Sequence, residues 1–328
     1  MKRVLSGMRP TGRLHLGHLV GALENWLVLQ EKYECFYMIA DWHALMSEYQ
    51  NSKGLSENTE EVLLDWLSCG ISPDRSIIFC QSNVPEHAEI YLLFSIIMPL
   101  GWLKRNPTYK EQIRELSNVD LETHGFLGYP VLQAGDILLY NADIVPIGVD
   151  QLPHLELTRE LVRRFNHLYG ETFGLPEPLL TETPKLLGID GRKMSKSYNN
   201  AIFLSEQSDI VEKKVKQMIT DPERIHPNDL GHPDVCSIFY LWKAFEKEKN
   251  KVVEEECKTA KRGCVFCKEE IATVLNEKLS PIRKRRAELK KDKELLSRII
   301  KEGNEKAREL ASKTMIEVRR KIGFYEKL

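Results

Sequence analysis

The sequence predicts an α/β protein: a doubly wound, Rossmann-like parallel-sheet domain over residues 1–200, then an all-helical domain over 201–328. Two observations carry this. Up to Asn200, short apolar runs suited to buried strands alternate with segments of helical period, the pattern of parallel strands joined by crossover helices. Beyond it strand-like runs nearly vanish, and Glu, Lys, Leu and Ala recur at helical spacing with breaks at Pro227, Pro233 and Pro281.

Arg3 to Gly7 reads as the first strand, and Leu14 to Tyr33 as the first helix. CFYMIAD (Cys35 to Asp41) is a second strand, Glu60 to Cys69 an amphipathic helix, and SIIFCQ (Ser76 to Gln81) a third strand. A long apolar helix follows from about Glu86 to Leu103, another near Pro130 to Tyr140, then a strand IVPIG (Ile144 to Gly148) and a helix from Gln151 to Tyr169. The last helix, from about Asn304 to Lys321, is strongly charged.

With 42% hydrophobic and 29% charged residues, the chain can bury a sizeable core. It shows neither a long apolar run nor an apolar stretch with a cleavage site near its start, so no membrane partner is expected. Seven cysteines, an odd number in a chain this long, predict reduced thiols and a cytoplasmic setting. The net charge of −1 is uneven: residues 281–328 carry 16 Lys or Arg against 8 Asp or Glu, a local +8 that suits a polyanion or a solvated basic helix face.

Two strings suit phosphate handling. In an open parallel sheet the ligand sits beyond the carboxyl ends of the strands, where Ser6 and Gly7 emerge and the first helix begins. HLGH there puts His15 and His18 three residues apart, with Gly17 between them leaving space for a nucleotide, and two imidazoles can donate hydrogen bonds to triphosphate oxygens. GRKMSKS, from Gly191, sets Lys193 and Lys196 three apart, flanked by Ser195 and Ser197, so that two ammonium groups can neutralise the β and γ phosphates. Alone, each string is equally a pair of structural histidines or a solvated basic loop.

Together, and at this separation, they resemble the class I aminoacyl-tRNA synthetases. SGMRPTGRLHLGHLVGAL near the start, ADWHAL (Ala40 to Leu45), QSNVPEHAE (Gln81 to Glu89), and the run from Gly128 to Leu161 are similar to the bacterial tryptophanyl-tRNA synthetases over nearly the whole chain. The resemblance implies a ligase that joins L-tryptophan to ATP, carried with Mg2+, as an adenylate and passes it to tRNA(Trp), working as a homodimer. It implies catalytic roles for His15, His18, Lys193 and Lys196. ATP contacts fall at Met8, Arg9, Thr11, Gly17, His18, Gly148, Asp150, Lys193, Met194, Ser195 and Lys196, and tryptophan contacts at Leu5, Tyr129, Gln133, Asp136, Val145, Ile147 and Gln151.

The residues themselves bear on the amino acid. Asp136 sits among Leu132, Ile137 and Leu138, and a buried carboxylate needs a donor, which an indole N–H or a backbone amide can supply. In the resembling enzymes the matching aspartate takes the indole N–H, Tyr129 and Gln151 match residues holding the ammonium and carboxylate, and Val145 and Ile147 wall the ring. Tyrosyl-tRNA synthetases share the fold but usually carry a tyrosine where this chain has Leu5, which leaves a phenol hydroxyl unpaired and favours tryptophan. Two departures stand out: Arg9 replaces a common glutamine, and Gln112 lies near a position where some relatives carry a phosphate-binding lysine, with Lys110 as a substitute. A nucleotidyltransferase with an HxGH motif leaves the helical domain and the Asp136 region without a role, and a non-charging RNA-binding paralogue has no need of intact HLGH and KMSKS.

Cys35, Cys69 and Cys80 lie in strand or helix runs and read as core. Cys236, Cys257, Cys264 and Cys267 instead form Cys-x20-Cys-x6-Cys-x2-Cys, suited to a tetrahedral Zn2+ or a cubane iron–sulfur cluster. Some thermophilic bacterial tryptophanyl-tRNA synthetases hold a [4Fe-4S] cluster in the anticodon-binding domain on a similar pattern with a slightly longer first spacing, so the resemblance favours the cluster, with Lys258, Lys261 and Arg262 nearby to meet tRNA phosphates.

Overall fold

The computed structural model describes residues 1–106, 121–180 and 186–325; Lys110 and Gln112 lie outside the described residues. Five strands, β1 (Arg3–Met8), β2 (Glu34–Ile39), β3 (Ser76–Cys80), β4 (Ile144–Ile147) and β5 (Glu177–Leu180), form a parallel sheet in the order β3-β2-β1-β4-β5. The order reverses beside β1, so the crevice between the carboxyl ends of β1 and β4 is the topological switch point where such sheets bind ligands. Gly7 is required at this edge because a Cβ there would come within 2.6 Å of the Met38 carbonyl oxygen on β2. β5, whose EPLL carries only four residues and little burial, escaped the strand pattern.

The first helix differs from expectation. One turn, α1 (Leu16–His18), passes through a π turn (Leu19–Leu23) into α2 (Glu24–Leu29). The remaining helices before Asn200 are α3 (Asp41–Glu48), α4 (Leu55–Cys69), α5 (Glu86–Ile97), α6 (Leu100–Arg105), α7 (His124–Leu139) and α8 (Leu152–Tyr169) among the described residues. The single helix expected from Glu86 to Leu103 is two, because Met98 and Pro99 are extended. Past Asn200 come α9 (Ser208–Gln217), α10 (Ser237–Phe245), α11 (Asn250–Lys258), α12 (Cys264–Leu289) and α13 (Lys293–Ile322). Pro281 does not break α12, which continues through it, and α13 begins a full three turns before the expected Asn304.

The core crosses residue 200. One apolar cluster runs from Val4, Tyr37 and Ile78 on the sheet to Trp242, Leu275 and Leu279 in the helical part. The other runs from Leu5, Phe36 and Phe79 to Ala307, Ala311, Met315 and Val318 on α13. Small residues let α13 press on β3: at Gly303 a Cβ would overlap the Ile78 carbonyl oxygen. Several basic residues of the C-terminal stretch are therefore structural. Arg286 holds Asp65 at 2.7 Å and Glu61 at 2.5 Å, Arg308 reaches Glu86 at 3.3 Å, and Arg319 pairs with Glu89. Asp65 in turn accepts the Leu14 backbone N–H at 2.7 Å, so this buried pair fixes the chain one residue before HLGH. No helix of the described residues is long and apolar enough to cross a membrane.

Candidate active site

A cavity of about 420 Å3 opens at the switch point. Leu5, Met8 and Arg9 line it from β1 and the turn after it, Val145, Ile147, Gly148 and Gln151 from β4 and its turn, and Tyr129, Gln133 and Asp136 from α7. All seven residues expected to bind the amino acid thus face one space, together with three of those expected for ATP. Met38, Met46 and Phe126 add apolar wall, and Trp26 and Asn25 come from α2.

Asp136 is fully enclosed, and three donors hold its carboxylate. Gln81 Nε2 donates to Oδ1 at 2.8 Å, His87 Nδ1 to the same oxygen at 2.6 Å, and His43 Nε2 to Oδ2 at 2.8 Å. A carboxylate offers about four acceptor positions, so these three donors leave one, on Oδ2. Burial pushes the carboxyl up, but the bonds from His43 and His87 outweigh it and hold Asp136 at about 2. A carboxyl depressed below its ordinary 3.8 contributes stability that is present above that value and lost as the pH falls through about 2, worth roughly 2 kcal/mol. The sequence strings ADWHAL and QSNVPEHAE contain His43, Gln81 and His87, yet nothing in isolated residues marks them as partners of a carboxylate 49 or more positions away.

Tyr129 lines the cavity, and its hydroxyl is engaged by a buried histidine. His154, buried, lies 2.9 Å from Tyr129 Oη through Nε2 and 3.0 Å from Asn106 Nδ2 through Nδ1. Burial and the nearby His43 pull His154 down to about 4, so it is neutral. With the amide donating to Nδ1, the network assigns the proton to Nε2, which donates to the phenol oxygen and leaves that oxygen one lone pair for a cationic donor.

The two histidines of HLGH lie side by side, their ring centroids 3.9 Å apart. His15 is the N-cap of α1 and His18 ends that turn. Gly17 N–H donates to His15 Nδ1 at 3.1 Å, and His15 N–H donates to His18 Nδ1 at 3.2 Å. Because both Nδ1 atoms accept, both neutral rings carry their proton on Nε2 and can donate from there. Burial, aided by the Lys196 ammonium, draws His15 down to about 4 and His18 well below its ordinary value. Gly17 is dictated by this cap: a Cβ would stand 2.8 Å from His15 Cε1.

The stretch that follows KMSKS meets HLGH through the backbone. Leu16 N–H donates to Ile202 O at 3.0 Å and Leu204 N–H to Leu14 O at 2.9 Å. Lys196 Nζ donates to Gly12 O at 2.8 Å and Thr11 Oγ1 at 3.1 Å, in the turn between β1 and α1. Lys193 and Ser197 are exposed, Met194 is buried and Ser195 half-buried. Asn200, also unforeseen, pins the segment: its Oδ1 accepts Ser195 N–H at 2.8 Å while Nδ2 donates to Asp190 at 2.7 Å and Lys193 O at 3.2 Å. Thr11, His15, Gly17, His18, Asp150 and the KMSKS residues stand outside the cavity lining.

The sequence family tRNA synthetases class I (W and Y) matches residues 1–280. A tryptophan–tRNA ligase from Thermotoga maritima is 52% identical over 97% of this chain and 98% of its own length, and one from Aquifex aeolicus 45% identical over 97% and 98%. This chain belongs to the tryptophan–tRNA ligase family. A solved tryptophanyl-tRNA synthetase from Campylobacter jejuni, complexed with ADP and tryptophane, superposes with a TM-score of 0.86 at 34% identity, covering 98% of this chain and 100% of that one. Class I membership gives a physical context to the β1–β4 cavity and the HLGH–KMSKS contact: they stand next to each other on the ligand edge of the sheet of a synthetase.

The synthetase's late cysteines depart from expectation. Cys236, Cys257, Cys264 and Cys267, at the ends of three helices, line one small pocket. Yet among the described residues no group of three or more His, Cys, Asp and Glu side chains is placed to hold a metal ion. Arg224 Nη1 stands 3.9 Å from Cys257 Sγ and 3.8 Å from Cys264 Sγ, and the free space is about 20 Å3, room for little more than one water. Arg262, expected to meet RNA, is nearly buried, paired with Glu256 and Glu270, its guanidinium 5.2 Å from the Trp242 ring. Lys258 pairs with Glu254 at 2.6 Å, while Lys261 is exposed.

Proposed function

We propose that this tryptophan–tRNA ligase binds the indole of tryptophan in the β1–β4 cavity with its N–H on Asp136 Oδ2. Tyr129 and Gln151 take the ammonium and carboxylate, and Leu5, Val145 and Ile147 wall the ring. The observation that carries this is an ionised, buried carboxylate with one acceptor position left, at the wall of a cavity that also offers the apolar faces of Leu5, Val145 and Ile147. ATP lies across the mouth, its phosphates taking hydrogen bonds from His15 and His18 Nε2 and charge from Lys196 and Lys193. Met8, Arg9, Thr11, Gly17, Gly148, Asp150, Met194 and Ser195 complete the nucleotide's surroundings.

In the activation step a tryptophan carboxylate oxygen forms a bond to the α-phosphorus, the bond from that phosphorus to the β-bridging oxygen breaks, and pyrophosphate leaves. The protein supplies position and electrostatic stabilisation and needs no nucleophile of its own. Asp136 is the sole carboxylate among the described cavity-lining residues, and three donors already engage it, so Mg2+ arrives on the ATP phosphates. The acyl group then passes to tRNA(Trp), which reaches the helical part of the chain. An exposed apolar stripe of Leu92, Ile96 and Leu100 supports assembly as a homodimer, and the setting is cytoplasmic.

The cysteine quartet is proposed to hold a [4Fe-4S] cluster as a structural element. All four cysteines line one pocket, and Arg224, whose guanidinium faces the Cys257 and Cys264 sulfurs, must swing out to admit it. Protein prepared without oxygen should carry iron and be coloured; zinc without iron would refute the cluster. For the reaction, exchange of pyrophosphate into ATP should depend on tryptophan. A response to tyrosine alone, or to neither amino acid, would overturn the assignment.

A further inference from the structure

Asp136 is held from behind by two residues that do not line the cavity. His87 and Tyr140 are both fully buried, and His87 bridges them: Nδ1 lies 2.6 Å from Asp136 Oδ1 and Nε2 2.7 Å from the Tyr140 hydroxyl. Tyr140 is itself fixed by aromatic contact, its ring centroid 5.0 Å from that of Phe36 and 5.2 Å from that of Phe79. We propose that Tyr140 and His87 are specificity-determining positioning residues, which lock the Asp136 carboxylate as a pure acceptor so that the site selects a ring bearing an N–H. This rests on the reading that Asp136 accepts the indole N–H.

The bond to the carboxylate has one direction. A bare Nδ1 facing a carboxylate oxygen at 2.6 Å would set lone pair against lone pair, so Nδ1 carries the proton and donates to Oδ1. Nε2, at the far side of the ring, lies 2.7 Å from the Tyr140 hydroxyl, which holds the imidazole at the angle that aims Nδ1 at the carboxylate. Each bond polarises the next, and the low-dielectric surroundings strengthen both. Gln81 takes the other lone pair of Oδ1 and His43 one of Oδ2, so the carboxylate can neither turn nor rest protonated without losing a buried partner. Only a donor finds a match at the remaining position. A ring with sulfur or oxygen in place of the indole N–H would set lone pair against lone pair there.

Removing the Tyr140 hydroxyl while keeping its ring leaves His87 Nε2 without its partner and frees the imidazole to turn, which loosens the carboxylate. The test compares kcat/KM in pyrophosphate exchange for tryptophan and for 3-(3-benzothienyl)alanine, which has the same shape with sulfur replacing the N–H. The unaltered enzyme should prefer tryptophan by at least roughly a hundredfold. In Tyr140→Phe the preference should fall roughly tenfold, the loss confined to tryptophan, with the sulfur analogue and the KM for ATP unchanged. His87→Asn, which keeps an N–H toward Asp136 but not the link to Tyr140, should shift the preference the same way. An equal fall for both amino acids in Tyr140→Phe, or an unchanged ratio, would make Tyr140 a packing residue and overturn the inference while leaving the Asp136 reading intact. If the unaltered enzyme does not distinguish the two amino acids, the Asp136 reading itself fails, and the inference with it.

Discussion

Asp136→Ala should lower kcat/KM for tryptophan in pyrophosphate exchange by about a thousandfold and leave the KM for ATP nearly unchanged. Two losses combine. The bond from the ligand N–H to an ionised acceptor disappears, and three buried donors on Gln81, His43 and His87 lose their partner, which together reach about 4 kcal/mol. Asp136→Asn is no gentler: an amide has one acceptor oxygen and two N–H donors, so at least one of the three protein donors would face a donor. The Ala variant should also unfold at lower denaturant, because the apolar replacement strands polar groups in the core. An Asp136→Ala enzyme that still takes tryptophan in preference to tyrosine and phenylalanine with wild-type kcat/KM would refute the role given to this carboxylate.

How much of this was legible in the sequence depended on the range of the interaction. The alternation of runs set the β1–β4 order and the helical second part, because periodicity reports local burial. The cavity residues Tyr129, Asp136, Val145 and Ile147 were legible because they stand in a long string whose resemblance carries position as well as type, and Leu5 because it directly precedes another. His43, Gln81, His87 and Asn200 were not, since each earns its role from a partner on another element, and a histidine in a string looks the same whether it packs or donates. The π turn after His18 was hidden because its register change leaves the apolar period nearly intact. Pro281 misled as a break: α12 continues past it, with Ser280 half-buried before it and Ile282 buried after it. The charged C-terminal stretch read as a polyanion surface, yet Arg286, Arg308 and Arg319 hold acidic residues of α4 and α5, because α12 packs on α4 and α13 on β3 and α5 rather than extending away.

Lys196→Ala should slow tryptophan-dependent pyrophosphate exchange by about a hundredfold to a thousandfold, the range for removing one preorganised donor from a developing charge, with little loss of tryptophan binding. Lys193→Ala should cost less, since its side chain is exposed while that of Lys196 is tucked against the Thr11–Gly12 turn beside the HLGH imidazoles. Burial draws Lys196 down to about 8, with Asp65 and Glu48 pulling the other way. An ammonium titrating there is charged below that pH and neutral above it, so kcat/KM for ATP, which reports the free enzyme, should fall as the pH rises through about 8. His15 at about 4 stays neutral across the working range, so HLGH should add no acidic limb above about pH 4. Lys196→Arg supplies the decisive comparison. A guanidinium stays charged throughout, so this variant should lose the alkaline limb even where its rate is lower. Retention of that limb in Lys196→Arg would assign it to another group and remove Lys196 from the phosphate site.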